Sequence, residues 1–275
     1  MCIFAAIKNP AVNKRKQPLI LVSNDDGFDS RGIDILTKVA RKYGRVVVVA
    51  PDSGRSGASH SVSLSSCIRL KEIQKEENIA IYSSSGTPAD CVKLAVNQIL
   101  DQKPDILISG INHGSNSSVS VFYSGTMAAV IEGCMNGIPS VGFSVDNHSP
   151  DAYLDLAEKF SHEIIENLLE NGLPKGTCLN INFPDITEQQ LKGVKICRQT
   201  QGVWKEEFDK RKDPYGNDYF WLTGEFYNEE PLSTETDDWA LRNDYIAIVP
   251  VKVDLTDHSA IPEIKKWNFT FNDSK

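Results

Sequence analysis

The stretch Asn24-Asp25-Asp26-Gly27 sets two carboxylates side by side with no basic residue adjacent to them. It follows the apolar run Pro18-Leu19-Ile20-Leu21-Val22, which reads as a strand buried on both faces. After it, Ile33, Leu36, Val39, Ala40 and Tyr43 recur at helical spacing. The pair therefore falls at the strand-to-helix turn of a βαβ unit, at the sheet edge where open α/β proteins hold their ligands. Adjacent carboxylates repel each other, and a bound cation removes that repulsion. Three more polar stretches, Ser53–Ser59, Ser109–Asn116 and Tyr123–Thr126, lie at matching places further along. Right-handed crossovers carry the ends of consecutive parallel strands to one edge, so Asp25, Asp26, Ser56 and Asn112 are expected to converge on one crevice. All four present oxygen, which suits Mg²⁺, Mn²⁺ or Ca²⁺ and not zinc. Neighbouring strand residues point to opposite faces, so the two acids share an ion only if the chain has already turned, and Gly27 permits that turn. Ser124-Gly125-Thr126 opens an expected helix, where free N–H groups and the helix dipole favour phosphate. A metal facing a phosphate cradle points to metal-assisted phosphoester hydrolysis.

The elements that must carry these groups alternate regularly. The spacing predicts a helix over 31–43, a strand over 45–50 stopped by Pro51, strand-like pieces over 62–70 and 79–83, and a helix opened by Thr87-Pro88-Ala89-Asp90. In that tetrapeptide Thr87 caps, Pro88 takes the first helical position and Asp90 completes a reciprocal cap. A strand at 106–108, a helix to Asn136, a strand at 140–145, a helix at 153–170 and a strand at 177–183 follow. This is the pattern of a Rossmann-like, doubly wound α/β domain with a mostly parallel sheet. We expect that core over 18–190, after a disordered leader at 1–17. From about 191 to 275 the chain reads as a β-rich extension holding Trp204, Trp221, Trp239 and Trp267, with long hairpins and an irregular acidic segment near 210–235. Such an extension is expected to pack on the α/β body or on another subunit.

With 40% hydrophobic residues, the 275-residue chain can bury a proper core. Its net charge of −8, from 29 basic and 37 acidic residues, excludes a nucleic-acid polymer as the natural partner. No apolar run has the length of a membrane span. Six dispersed cysteines without a Cys-x-x-Cys pair read as reduced core thiols of a cytoplasmic protein.

Each motif alone has an ordinary reading. Asp25-Asp26 could cap a helix, the Ser56 loop could be a plain turn, and Ser124 could be a plain N-cap. His113 and His60 read as bystanders, because a metal-activated water needs no histidine. The run Thr234-Glu235-Thr236-Asp237-Asp238 reads as a solvated loop or cap. A nucleotide-binding protein without hydrolysis lacks its Gly-x-Gly-x-x-Gly here. A phospho-acceptor domain lacks its strand-terminal Lys. The case rests on the joint pattern.

Asn24-Asp25-Asp26-Gly27, Ala50-Pro51 through Arg55-Ser56-Gly57-Ala58-Ser59, Gly86-Thr87-Pro88-Ala89-Asp90, Ser109-Gly110-Ile111-Asn112-x-Gly114-x-Asn116 and Tyr123-Ser124-Gly125-Thr126 occur in this order. Together, with a later Arg198-Gln199-Thr200 and Thr236-Asp237, they resemble the stationary-phase survival protein (SurE) family over about residues 18–255. The resemblance implies a metal-dependent nucleoside 5′-monophosphate phosphatase, in some members also acting on 3′-nucleotides and short polyphosphate. It implies one divalent ion (Mg²⁺ or Mn²⁺) on Asp25, Asp26, Ser56 and Asn112, and phosphate contacts at Asn116, Ser124, Gly125 and Thr126. Asp25 or Asn116 would orient the attacking water, and the C-terminal extension would join subunits into a homodimer or homotetramer. Where the family continues after Asn116 with glycine and acidic residues, this chain has Ser117-Ser118-Val119-Ser120.

Overall fold

The computed structural model describes residues 17–269, so the leader, apart from Gln17, lies outside the described residues. The described residues form thirteen strands and six α-helices in this order. They are β1 (Leu19–Ser23), α1 (Arg31–Ala40), β2 (Arg45–Pro51), β3 (Leu70–Glu76), β4 (Ile79–Ser84), α2 (Pro88–Leu94), β5 (Ile106–His113), α3 (Gly125–Met135), β6 (Ser140–Val145), α4 (Asp155–Asn171), β7 (Thr177–Phe183), β8 (Gly193–Ile196), β9 (Gly202–Lys205), β10 (Phe208–Lys212), β11 (Asp218–Leu222), β12 (Glu225–Asn228), α5 (Asp237–Arg242), β13 (Tyr245–Lys252) and α6 (Ile261–Ile264).

Nine strands form one sheet in the order β3-β4-β2-β1-β5-β6-β7-β13-β8. The six strands from β4 to β7 in that order run parallel, while β3 and β13 pair antiparallel to β4 and β7. The alternation within β1 shows why its run is uniformly apolar. Ile20 and Val22 pack with Ile33, Leu36 and Val39 of α1 and with Ile164 and Leu168 of α4. Leu19 and Leu21 face Val92 of α2 and Met127 and Val130 of α3. Successive side chains point to opposite faces, so helices on both sides demand a hydrophobe at every position. Each fully buried Leu or Ile here is worth about 1.5–3 kcal/mol of transfer free energy. Thr87 and Asp90 make the expected reciprocal cap of α2: the Asp90 N–H donates to Thr87 Oγ1 at 3.1 Å, and the Thr87 N–H donates to Asp90 Oδ2 at 3.0 Å.

Some expectations are corrected. Residues 62–69 are irregular, and the edge strand begins only at Leu70, because its side chains are nearly all exposed and carry no core pattern. β5 continues past Ile108 to His113, so Asn112 stands on a strand end and not in a free loop. The segment near 210–235 is regular in part: β10 pairs with β11 and β9 with β12, forming a two-part antiparallel arm, while residues 229–235 are irregular. Part of the C-terminal region belongs to the body, since β13 inserts between β7 and β8. Cys91, Cys134, Cys178 and Cys197 are buried thiols, but Cys67 is exposed. Among the described residues no helix is long and apolar enough to cross a membrane.

Candidate active site

The parallel order β2-β1-β5 brings the chain segments after these three strands to one edge. The turn after β1 is organised by Asn24. Its Nδ2 donates to the Gly27 carbonyl and to Ser30 Oγ, both at 2.8 Å, and its Oδ1 accepts the Gly27 N–H at 3.3 Å. Gly27 sits at φ +113°, a conformation open to glycine and costly for other residues. The Asp25 carbonyl accepts the Arg55 N–H at 2.7 Å, which ties the Ser56 loop to the same turn.

Asp25 is 4% exposed and lies against the start of α3. Thr126 Oγ1 donates to Asp25 Oδ1 at 2.5 Å. A Cβ at Gly125 would stand 2.6 Å from Asp25 Cβ, so the contact requires glycine there. Burial pushes the Asp25 carboxyl up to about 6; the hydrogen bond from Thr126 opposes the rise, and the charge of Asp26 adds to it. Burial also raises Asp26, with nearby His113 pulling it back. His113 Nδ1 stands 3.7 Å from Asp26 Oδ2, beyond hydrogen-bond range. Among the described residues, Asp26 Oδ2 and, on the other side of the ring, His113 Nε2 are each buried without a hydrogen-bond partner.

A cleft of about 570 Å³ opens above these groups, lined by Asp25, Ser56, Asn112, Asn116 and Ser124. Asn112 Nδ2 donates to the Gly114 carbonyl at 2.7 Å, which leaves Asn112 Oδ1 as a free acceptor. Asn116 is held from three directions. Its Nδ2 donates to Ser144 Oγ, its N–H donates to Asn182 Oδ1, and its carbonyl accepts from Asn180 Nδ2, each at 2.8 Å.

The residues singled out from sequence thus gather, with differences in detail. Asp25, Ser56, Asn112, Asn116 and Ser124 face the cleft, while Asp26 stands beside it against His113. The Thr126 side chain is wholly buried and serves Asp25, and Ser124 Oγ accepts the Met127 N–H at 3.0 Å as a helix cap. His113, read from sequence as a bystander, stands beside Asp26 as its nearest basic group. His60 pairs instead with Glu132 at 3.2 Å. Sequence reasoning passed over Asn180 and Asn182, although two amides at alternate positions of an apolar strand were a visible signal. It also passed over His148 and the arm residues Trp204, Glu207, Leu222 and Thr223, which line the far side of the cleft.

Among the described residues no three His, Cys, Asp or Glu gather around one point. A cation here would be held by the acid pair and completed by neutral oxygens. An oxygen-only donor set and an unpartnered buried carboxylate oxygen fit a hard divalent ion.

The chain is similar to proteins of one family. The Survival protein SurE family profile matches residues 20–206. A 5′-nucleotidase SurE of Flavobacterium psychrophilum is 50% identical over 254 residues, covering 92% of this chain and 98% of the relative. A 5′-nucleotidase SurE of Phocaeicola vulgatus is 47% identical over 255 residues, covering 93% and 98%. The crystal structure of the SurE protein from Aquifex aeolicus superposes with a TM-score of 0.78 at 36% identity, covering 90% of this chain and 98% of that one. With the acidic turn, the Ser56 loop, the Asn112–Asn116 segment and the start of α3 all inside the matched region, the chain belongs to the SurE family.

Proposed function

We propose that this protein is a divalent-metal-dependent phosphatase that hydrolyses nucleoside 5′-monophosphates to nucleoside and phosphate. The observation that carries the reading is Asp26 Oδ2, a buried carboxylate oxygen without a partner, beside the buried Asp25. A buried carboxylate beside a half-buried one is costly unless one is protonated or a cation neutralises them. Asp25, Asp26, Ser56 and Asn112 would hold one Mg²⁺ or Mn²⁺. When bound, the ion supplies a Lewis acid for a phosphoryl oxygen and lowers the pKa of a bound water.

The chain's own groups do the rest. Thr126 fixes the rotamer of Asp25 through its hydroxyl. Asn116, clamped by Ser144, Asn180 and Asn182, aims its remaining amide acceptor without reorganising. We assign phosphate contacts to Asn116 and to Ser124, Gly125 and Thr126 at the start of α3, where N–H groups point outward. Asp25 or Asn116 orients the attacking water. The cleft is larger than a phosphate, and its far side carries Trp204, Tyr123 and His148, surfaces suited to a nucleoside. 3′-Nucleotides and short polyphosphate are further candidate substrates.

We also propose that the C-terminal part, 191–275, joins subunits through the arm, and that the protein works in the cytoplasm as a homodimer or homotetramer. Free thiols at Cys67, Cys91, Cys134, Cys178 and Cys197 support a reducing compartment. The test is phosphate release from AMP and GMP. Activity should vanish in EDTA and return with Mg²⁺ or Mn²⁺, and full activity in Asp26→Ala would sink the assignment.

A further inference from the structure

Asn116 leads directly into an unusual backbone. Ser118 lies at φ +52°, in the left-handed region that a residue with a Cβ rarely occupies, and is only 3% exposed. Such a conformation persists only where the surroundings enforce it. Here the enforcing groups come from far along the chain. The Ser118 N–H donates to Asp237 Oδ2 at 2.8 Å, and Ser118 Oγ donates to the Thr200 carbonyl at 2.9 Å.

Of the two sequence readings of the acidic run, a solvated loop or a cap, the structure has the cap: Thr236 caps α5, and Asp237 in its first turn is 1% exposed. Its Oδ1 accepts from the Thr200 N–H at 2.9 Å, from Thr200 Oγ1 at 2.6 Å and from the Asp238 N–H at 2.9 Å. The two oxygens therefore have separate duties. Oδ1 closes α5 onto the 198–200 segment, whose Arg198 also bridges to Thr236. Oδ2 reaches out to the loop that continues from Asn116.

We infer that Asp237 is a positioning residue: through the Ser118 N–H it holds the loop after Asn116 in its left-handed turn, and so sets where Asn116 and Ser120 stand in the cleft. Asn180 and Asn182 fix the loop from the sheet side, and Asp237 fixes it from the C-terminal side. The inference rests on the phosphatase reading only for its catalytic consequence; the restraint itself is independent of it.

Asp237→Asn separates the two duties. An asparagine can keep its oxygen towards Thr200 and Asp238, but it then turns an NH₂ towards the Ser118 N–H, donor against donor. Thr200→Val is the control, since it removes only the hydroxyl on the Oδ1 side. We expect Asp237→Asn to speed amide exchange in peptides covering 114–122 and to lower kcat/KM for AMP at least tenfold. Thr200→Val should lower Tm by a similar amount while leaving kcat/KM within twofold. A merely structural Asp237 would move Tm and kcat/KM in the same proportion in both variants, and that result overturns the inference. So does unchanged exchange in folded Asp237→Asn. If Asp237→Asn does not fold, the wild-type protein decides. The Ser118 amide must exchange as slowly as those of Thr200 and Asp238, and exchange at a free-loop rate overturns the restraint. Wild-type protein without phosphatase activity would defeat the phosphatase reading instead, and the exchange data would still judge the restraint.

Discussion

The acidic turn after β1 and the arm of β9–β12 differ in what they leave unsatisfied. At the turn the backbone is fully organised by Asn24, Gly27 and Arg55, yet Asp26 Oδ2 has no partner. In the arm the ladders are complete, yet Phe208, Phe220, Trp221 and Leu222 are more than half exposed. One region is short of positive charge and the other of apolar cover. A carboxylate oxygen buried without a hydrogen bond favours a cation, and a row of exposed aromatics favours another surface. The two regions meet at the cleft, where Trp204 and Leu222 face the wall that carries Asp25.

The comparison breaks most sharply at the acids. Asp25→Ala or Asp26→Ala should lower kcat/KM for AMP on the order of 10³-fold, because the loss of a metal-held phosphoryl group costs several kcal/mol of transition-state stabilisation. Phosphate release with Mn²⁺ present measures this. Next comes Gly125→Ala, whose new methyl would stand 2.6 Å from Asp25 Cβ. Displacing Asp25 from the start of α3 should cost about 1–3 kcal/mol of stability through overpacking, read by thermal melts, with a clear loss of activity.

The pH dependence comes third. Folded Asp25 titrates at about 6, against an unfolded value of 3.8. Between those values the folded state holds a proton that the unfolded state has released, so stability falls as pH rises through that window. Metal-free protein should lose about 2 kcal/mol from this group between pH 4 and 7, and Asp25→Asn should flatten the loss. Added Mg²⁺ should offset it at pH 7. Melts at several pH values, with and without metal, check both.

The arm is the gentler test. Phe220→Asp with Trp221→Asp should shift light scattering towards smaller species, with a Tm change small beside that of Gly125→Ala. Unchanged mass would reassign the exposed aromatics. The smallest effect belongs to Lys38→Ala. Its 2.6 Å pair with Asp34 is exposed on both sides, and its loss should cost about 0.5 kcal/mol or less.

How much of this was legible in the sequence depends on whether a residue's partners lie nearby in the chain. β1, β2, β6 and β7 were readable because burial on both faces writes a continuous apolar run. Asp25, Ser56 and Asn112 were placed together because parallel topology fixes where strand ends go. β3 was misplaced because an exposed edge strand writes no pattern. The roles of His113, Asn180 and Asp237 were not legible, since their partners are Asp26, Asn116 and Ser118, which only tertiary folding brings near. The exposed aromatics of β10 and β11 marked a β-rich region, but not the division of hairpin pairing between β9–β12 and β10–β11.

The place of β13 has a consequence for the order in which the molecule is made. β8 joins the sheet only through β13, pairing Gly193 with Tyr245 and Ile196 with Ile248. During synthesis, β8 emerges before the strand that anchors it. The body through β7 can assemble from early contacts, but β8 has no sheet partner, and the outer edge of β7 stays open, until Tyr245–Lys252 leaves the ribosome. While residues 193–244 are out and β13 is not, the edge of β7 and the whole of β8 stand unpaired, so a stall in that interval would leave open strand edges that a finished chain does not have.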